Sequence, residues 1–370
     1  MKYIAYYDTP NNKEQNRGFV LAATNKIDYI CRALNHLGET VEIISASGSS
    51  SKKGCKAKIV NLANGNILKL FTSLGRGNKI KNILSVLFLR FSLFLYLMKT
   101  IKKNEKIIVY HSLGYMGIIK MLKRIKKFHL ILEVEEIYAD VIGNKKTRNK
   151  EIDFFEIADS YIFPTSLLND LINKNDKPYV IIHGTYQVEE NRNVSFGDDK
   201  IHVVYAGTFD PRKGGVLAAI GAAKCLTDEY LVHILGFGSD IEVGNVKKMV
   251  DETDGVTYEG LLSGEDYICF LQKCNIGLST QNPEAAFNST SFPSKVLSYM
   301  ANGLRVVNVR IPAVESSAVG NDLYYYDTQT SEEIAKAIMS VDLNDEYDSR
   351  KRIIELDVQF KKNLQELIKK

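Results

Sequence analysis

Between Glu42 and Glu105 the sequence has no acidic residue, although twelve Lys or Arg fall in that interval. A surface of balanced charge is excluded there. What remains is a solvated basic face or one drawn to an anionic surface, lipid headgroups or nucleic acid. Nucleic acid is the poorer fit, because the basic loops lack interleaved aromatic residues. Cysteine is sparse and unpaired in spacing: Cys31, Cys55, Cys225, Cys269 and Cys274. An odd, scattered set argues against a disulfide framework, and reduced thiols of a cytosolic protein are expected. Cys269 and Cys274 are too far apart for C-x-x-C, no His cluster accompanies them, and no metal site is expected. A D-x-D motif is missing, as are low-complexity tracts. The opening apolar run, Met1 to Tyr7, is too short for a signal peptide and reads as a first strand.

The chain has 370 residues and 45% apolar content, enough for two domains with sizeable cores. Charge is divided unevenly. Residues 1–200 carry 31 Lys and Arg against 20 Asp and Glu, and the remainder carries 17 against 24. The most apolar stretch, residues 80–101, has Arg90 near its middle and lysines at both ends. It is expected to be a core helix of the N-terminal half. The alternatives are a helix resting on a bilayer and a membrane span.

A strand at Tyr3 to Tyr7, a loop through Gly18, a helix over 22–37 ended by Gly38, and a strand at 41–45 form a βαβ unit. Residues 46–77 resist placement beyond short strands near 58–62. Strands at 106–110 and 129–136 follow, the first running into His111 and the second ending in the acids Glu133, Glu135 and Glu136. Carboxylates at a strand end can bond a ligand hydroxyl, and one serves as a base if its pKa rises. Residues 185–200 are polar and read as a linker. The pattern then restarts. The strand Ile201 to Gly207 leads into a turn with Arg212 and Lys213, placed where open α/β sheets bind ligands. Gly207 permits close backbone approach. The next strand ends in Gly236 and Gly238. Ser291 to Val307 reads as a loop, a short helix started at Pro293 and capped by Ser291 or Ser294, a Gly303 stop, and a buried strand. That helix start, with Lys295 in its first turn, can hold a phosphate.

The run Pro293-Ser294-Lys295-Val296-Leu297-Ser298-Tyr299-Met300-Ala301-Asn302-Gly303 resembles the donor-sugar motif of retaining glycosyltransferases of the GT-B fold, family 4 type, some of which build bacterial surface polysaccharides. The turn after Gly207 and the Gly236/Gly238 pair match further family segments. The resemblance implies an α/β chain of two Rossmann-like domains facing a cleft: 1–184 on the acceptor side, linker 185–200, 201–345 binding the nucleotide sugar, and a C-terminal helix 346–370 crossing back. It implies sugar transfer from a nucleotide-diphosphate sugar, UDP-linked, to a saccharide or lipid-linked saccharide, without cofactor or metal. Lys213 and Lys295 would neutralise the diphosphate. Gly18, Gly207, Arg212, Gly236, Gly238, Thr290, Ser291, Phe292, Ser294 and Ser298 would contact the donor. Glu135 would serve the transfer step, with His111, Glu133 and Glu136 on the acceptor side. Two family glutamates are replaced by Thr290 and Ser298. A peripheral place on the inner face of the plasma membrane is the expected location. Two rival readings are a non-catalytic partner of an active transferase and a nucleotide-sugar epimerase.

Overall fold

The computed structural model describes residues 1–9, 16–211, 214–285, 288 and 290–369. It has two compact units, Met1–Ile182 with Phe360–Lys370, and His183–Gln359.

The first unit is built on strands β1 (Lys2–Ile4), β2 (Glu42–Ser45), β3 (Lys58–Asn61), β4 (Ile67–Leu70), β5 (Lys106–Tyr110), β6 (His129–Glu133), β7 (Ser160–Phe163) and β8 (Tyr179–Ile181). Their spatial order is β3-β4-β2-β1-β5-β6-β7-β8. All pairs are parallel except β3 with β4. Helices α1 (Leu21–His36), α2 (Lys79–Thr100), α3 (Met116–Lys126), α4 (Tyr138–Val141), α5 (Lys145–Phe155) and α6 (Ser166–Ile172) connect them. Central strands such as Ile107-Ile108-Val109 are wholly buried, as a parallel sheet covered on both faces requires. α1 turns Ile27, Ile30 and Leu34 inward. Its loop is held by Arg17, a residue the sequence did not single out. The Arg17 guanidinium donates to the carbonyls of Ser47, Lys56 and Phe71, and so joins the loop before α1 to the stretch 46–77.

α2 is not the core helix expected. Only Leu89, Leu93 and Leu97 are buried, at i, i+4, i+8 spacing on one stripe. The opposite stripe is apolar and exposed.

The second unit restarts with β9 (Ile201–Thr208), α7 (Gly215–Ala223), β10 (Tyr230–Phe237), α8 (Asp240–Asp251), β11 (Val256–Gly260), α9 (Gly264–Lys273), β12 (Ile276–Ser279), α10 (Lys295–Ala301), β13 (Arg305–Val309), α11 (Pro312–Glu315), β14 (Tyr324–Tyr326) and α12 (Ser331–Met339). α13 (Ser349–Lys369) closes the chain, and its last turns are grouped with the first unit. The six strands run parallel in the order β11-β10-β9-β12-β13-β14. Counted within the unit this is 3-2-1-4-5-6, the doubly wound order, and the winding reverses between β9 and β12.

Candidate functional site at the carboxyl end of the second sheet

The reversal point of a doubly wound sheet opens a crevice beyond the strand ends, because the helices on either side leave in opposite directions. In the second unit it lies at the ends of β9 and β12, marked by Gly207-Thr208 and Ser279-Thr280. Glycine is needed here for space. A Cβ on Gly207 would stand 3.1 Å from the Lys295 ammonium and 3.1 Å from the Tyr205 hydroxyl. One on Gly215 would stand 2.5 Å from the Thr280 carbonyl oxygen. Lys295 lies over the Tyr205 ring, its Nζ 4.0 Å from the centroid. The ring fixes the cation beside the glycine-lined strand end.

Lys295 is the first residue of α10, a helix of seven residues. Ser294 occupies the cap position in a helical conformation and makes no side-chain capping bond, and Pro293 lies outside the helix. The capping expected of Ser294 is therefore corrected. A helix this short concentrates less dipole at its start, so among the described residues charge at this place rests on the lysine. Phe292 stacks on the His183 ring with centroids 4.9 Å apart. The Ser298 hydroxyl is 3.5 Å from that of Tyr267, a contact at the limit of hydrogen bonding. Thr290 and Ser291 are partly buried in the loop before α10. Arg212 and Lys213 lie outside the described residues.

Gly236 and Gly238 have a different task. A Cβ on Gly236, whose φ is +147°, would fall 1.8 Å from the Gly207 carbonyl oxygen. The pair keeps β9 and β10 in contact at the site's edge. Gly238 precedes the Ser239–Glu242 capping box of α8, and a Cβ there would meet the Glu242 carboxylate at 2.8 Å. Gly236→Ala is expected to cost about 2–3 kcal/mol, since the clash is with backbone that cannot rotate aside. Urea unfolding of both proteins measures it.

The first unit gathers acids at the ends of its own central strands. Glu133 is fully buried at the end of β6, and the Tyr3 hydroxyl donates to its Oε2. Its Oε1 has no hydrogen-bond partner. Burial, then the charge of Glu135, raises the Glu133 carboxyl to about 8, while Lys26 and the Tyr3 bond oppose the rise. Glu135 is partly exposed and accepts from Lys26 Nζ at 2.5 Å, and Lys26 also donates to the Ile182 carbonyl at 3.1 Å. Two neighbouring carboxyls thus stand in different settings, Glu135 lysine-paired and partly exposed, Glu133 enclosed where its anion is disfavoured. Glu136 is partly buried on the following turn.

His111 does not join this group through its ring. Its Nε2 meets Glu151 Oε1 at 2.6 Å, and the ring packs among Tyr138, Phe154 and Phe155. Glu151 also accepts from the backbone N–H groups of Tyr138 and Ala139, so the pair fastens α4 to α5. His111 is enclosed here, and not open to a ligand as the sequence suggested. Gly18 lies on an exposed loop, its N–H bonded to the Gly48 carbonyl at 3.0 Å, with open space around its Cα.

Sequence reading also missed a polar line across β9, β10 and β11. Asp198, His202, His233 and Glu259 are joined in turn at 2.7, 2.9 and 2.9 Å, under the ring of Phe196. Histidine inside two otherwise apolar strands was the available signal. This line ties the segment before β9 to the sheet.

No protein-family model matches the sequence, and no curated protein matches it. Solved structures do. The E. coli trehalose-6-phosphate structure bound with UDP-2-fluoro glucose superposes with TM-score 0.71 at 10% identity, over 99% of this chain and 97% of that one. A UDP-forming α,α-trehalose-phosphate synthase from Burkholderia xenovorans, in complex with glucose-6-phosphate, gives 0.67 at 9% identity, over 98% and 96%. A trehalose-6-phosphate synthase studied for glycosyltransfer with retention gives 0.65 at 10%, over 99% and 97%. At such identities the likeness speaks for architecture, and it extends along nearly the whole chain: the protein has the two-unit α/β fold called GT-B.

Proposed function

We propose that the protein is a retaining glycosyltransferase that moves a sugar from a UDP-sugar to a saccharide acceptor, free or lipid-linked, in surface-polysaccharide synthesis. The observation that carries this reading is Lys295, held over Tyr205 beside Gly207 at the strand reversal of the second sheet. A cation fixed at a glycine-lined strand end suits a diphosphate. The match to a chain bound with UDP-2-fluoro glucose supports a uridine nucleotide. In the reaction the bond from the anomeric carbon to the diphosphate breaks, and its electron pair leaves with the diphosphate. The acceptor oxygen bonds to the same face of the carbon, and its proton passes to the departing diphosphate. Lys295 stabilises the charge that develops there, which is where a fixed cation lowers the barrier most. Lys213 and Arg212 would add to it, and Glu135 would hold an acceptor hydroxyl.

Thermal unfolding with UDP-, GDP- and dTDP-sugars tests the donor. A ligand at 100 times its Kd stabilises by about 2.7 kcal/mol, so one nucleotide class is expected to raise the melting temperature. No shift with any of them would overturn the reading. Thr290 and Ser298, which replace the family's glutamates, favour a second reading: a partner that binds donor without turning it over. Nucleotide release that depends on added acceptor excludes that partner. It also excludes an epimerase, which needs no acceptor.

A further inference from the structure

α2 has 22 residues and is long and apolar enough to cross a membrane by length and composition. Its placement in the fold forbids a simple crossing. The stripe of Leu89, Leu93 and Leu97 packs into the first unit's core, and the Tyr96 hydroxyl donates to Glu42 on β2. One side of the helix is therefore committed to protein. On the other side Ile80, Leu84, Leu87, Phe91 and Leu95 repeat at helical spacing and are 69%, 55%, 55%, 60% and 51% exposed. Ile83 and Phe88 widen this face, and α3, packed on α2, exposes Met121 and Ile125. A continuous apolar face of this size is not left to water without a function.

Charge indicates what covers it. Lys79 and Lys81 stand exposed at the amino end of α2, and Lys99, Lys102 and Lys103 at its carboxyl end. No acid lies within residues 43–104. The two acids that bracket this stretch are engaged within the unit, Glu42 by Tyr96 and Glu105 by Lys2. These five lysines make no ion pair among the described residues, and apolar side chains between two such groups of cations match a bilayer with anionic headgroups, where the chains enter the acyl boundary and the lysines reach phosphate. A soluble protein partner would instead need an apolar groove rimmed with acid.

We propose that α2 is an in-plane membrane-docking helix that seats the first unit on an anionic lipid surface, with its inner stripe held by the protein core. The proposal concerns adsorption alone and does not depend on the chemistry at Lys295.

Sedimentation with extruded phosphatidylcholine vesicles, with and without phosphatidylglycerol, tests it in the absence of any sugar nucleotide. The full chain is expected to bind the phosphatidylglycerol vesicles and to release as salt is raised, because headgroup attraction is screened. The triple change Leu84→Ser, Leu87→Ser, Phe91→Ser removes half-exposed apolar area and is expected to weaken partitioning about 100-fold. Lys79→Gln with Lys81→Gln is expected to weaken it roughly 10-fold on anionic vesicles and leave neutral ones unaffected. Circular dichroism melting should show all variants folded, since every altered side chain faces solvent. Three results would overturn the proposal. One is no sedimentation with either vesicle. A second is binding that the triple variant leaves intact. The third is a concentration-dependent dimer without lipid that the triple variant abolishes, which would assign the face to a second copy of the chain.

Discussion

Lys295→Ala is expected to lower sugar transfer by roughly 10²–10³-fold, the loss seen when one fixed charge-stabilising group is removed from a developing anion. The effect should fall on kcat more than on KM, because charge on the diphosphate grows as the glycosidic bond breaks. The lysine has a structural role as well. Its Nζ lies 4.0 Å from the Tyr205 centroid, and losing that contact costs about 0.5–2 kcal/mol. Stability and turnover must therefore be separated. Tyr205→Phe keeps a ring beneath the cation and is expected to preserve most activity. Lys295→Arg keeps the charge but broadens it, and should recover part of the lost rate. Steady-state kinetics on the three variants, each with a denaturation curve, decides the point. Full turnover in a folded Lys295→Ala protein would remove the lysine from the donor site.

A large pH dependence is expected from Glu133. Its carboxyl titrates near 8 in the folded chain against an ordinary 4.5, because burial and the charge of Glu135 disfavour the anion. Below pH 4.5 both folded and unfolded chains hold the proton, and Glu133 adds no slope. Between 4.5 and 8 the folded chain keeps a proton that the unfolded chain has lost, so stability declines as pH rises, by up to about 1.4 kcal/mol per unit. Above 8 both have lost it and the contribution levels off. Glu133→Gln retains an acceptor for the Tyr3 hydroxyl and cannot ionise. Urea midpoints across this range should slope for the native sequence and be flatter for the variant. Equal slopes would mean that Glu133 is charged throughout.

The strands and helices of both halves were legible because each announces itself over a few residues. The helix expected over 22–37 is found at Leu21–His36, and the strand expected at 106–110 is found there. Gly207 and Lys295 were also visible in sequence, and the fold sets them side by side although 88 positions separate them. Other features depend on distant partners and leave no local trace. Arg17 could not be read as a tether, since its three carbonyl acceptors lie 30 to 54 residues away. The difference between Glu133 and Glu135 lies in burial, and composition gives both the same chance. α2 was misjudged because apolar content measures what a segment avoids, not what shields it. Only the fold shows that protein shields a single stripe. Within residues 46–77 the strand expected near 58–62 is found as β3, whereas β4, only four residues with Lys69 among them, is too short a run to mark itself.

The first unit is discontinuous along the chain, and this bears on how the protein is made. Phe360, Leu364 and Leu367 of α13 are buried, the Phe360 ring lies 5.6 Å from that of Tyr29, and Lys106 donates to the Ile368 carbonyl. A ribosome delivers those residues after the whole of the second unit. The half translated first must wait, its α1 side uncovered, while the half translated second has its whole sequence available earlier, so the usual order of maturation from the amino terminus is reversed in its final step. A chain cut just before Phe360 would leave the older half unfinished and the younger one with its whole sequence.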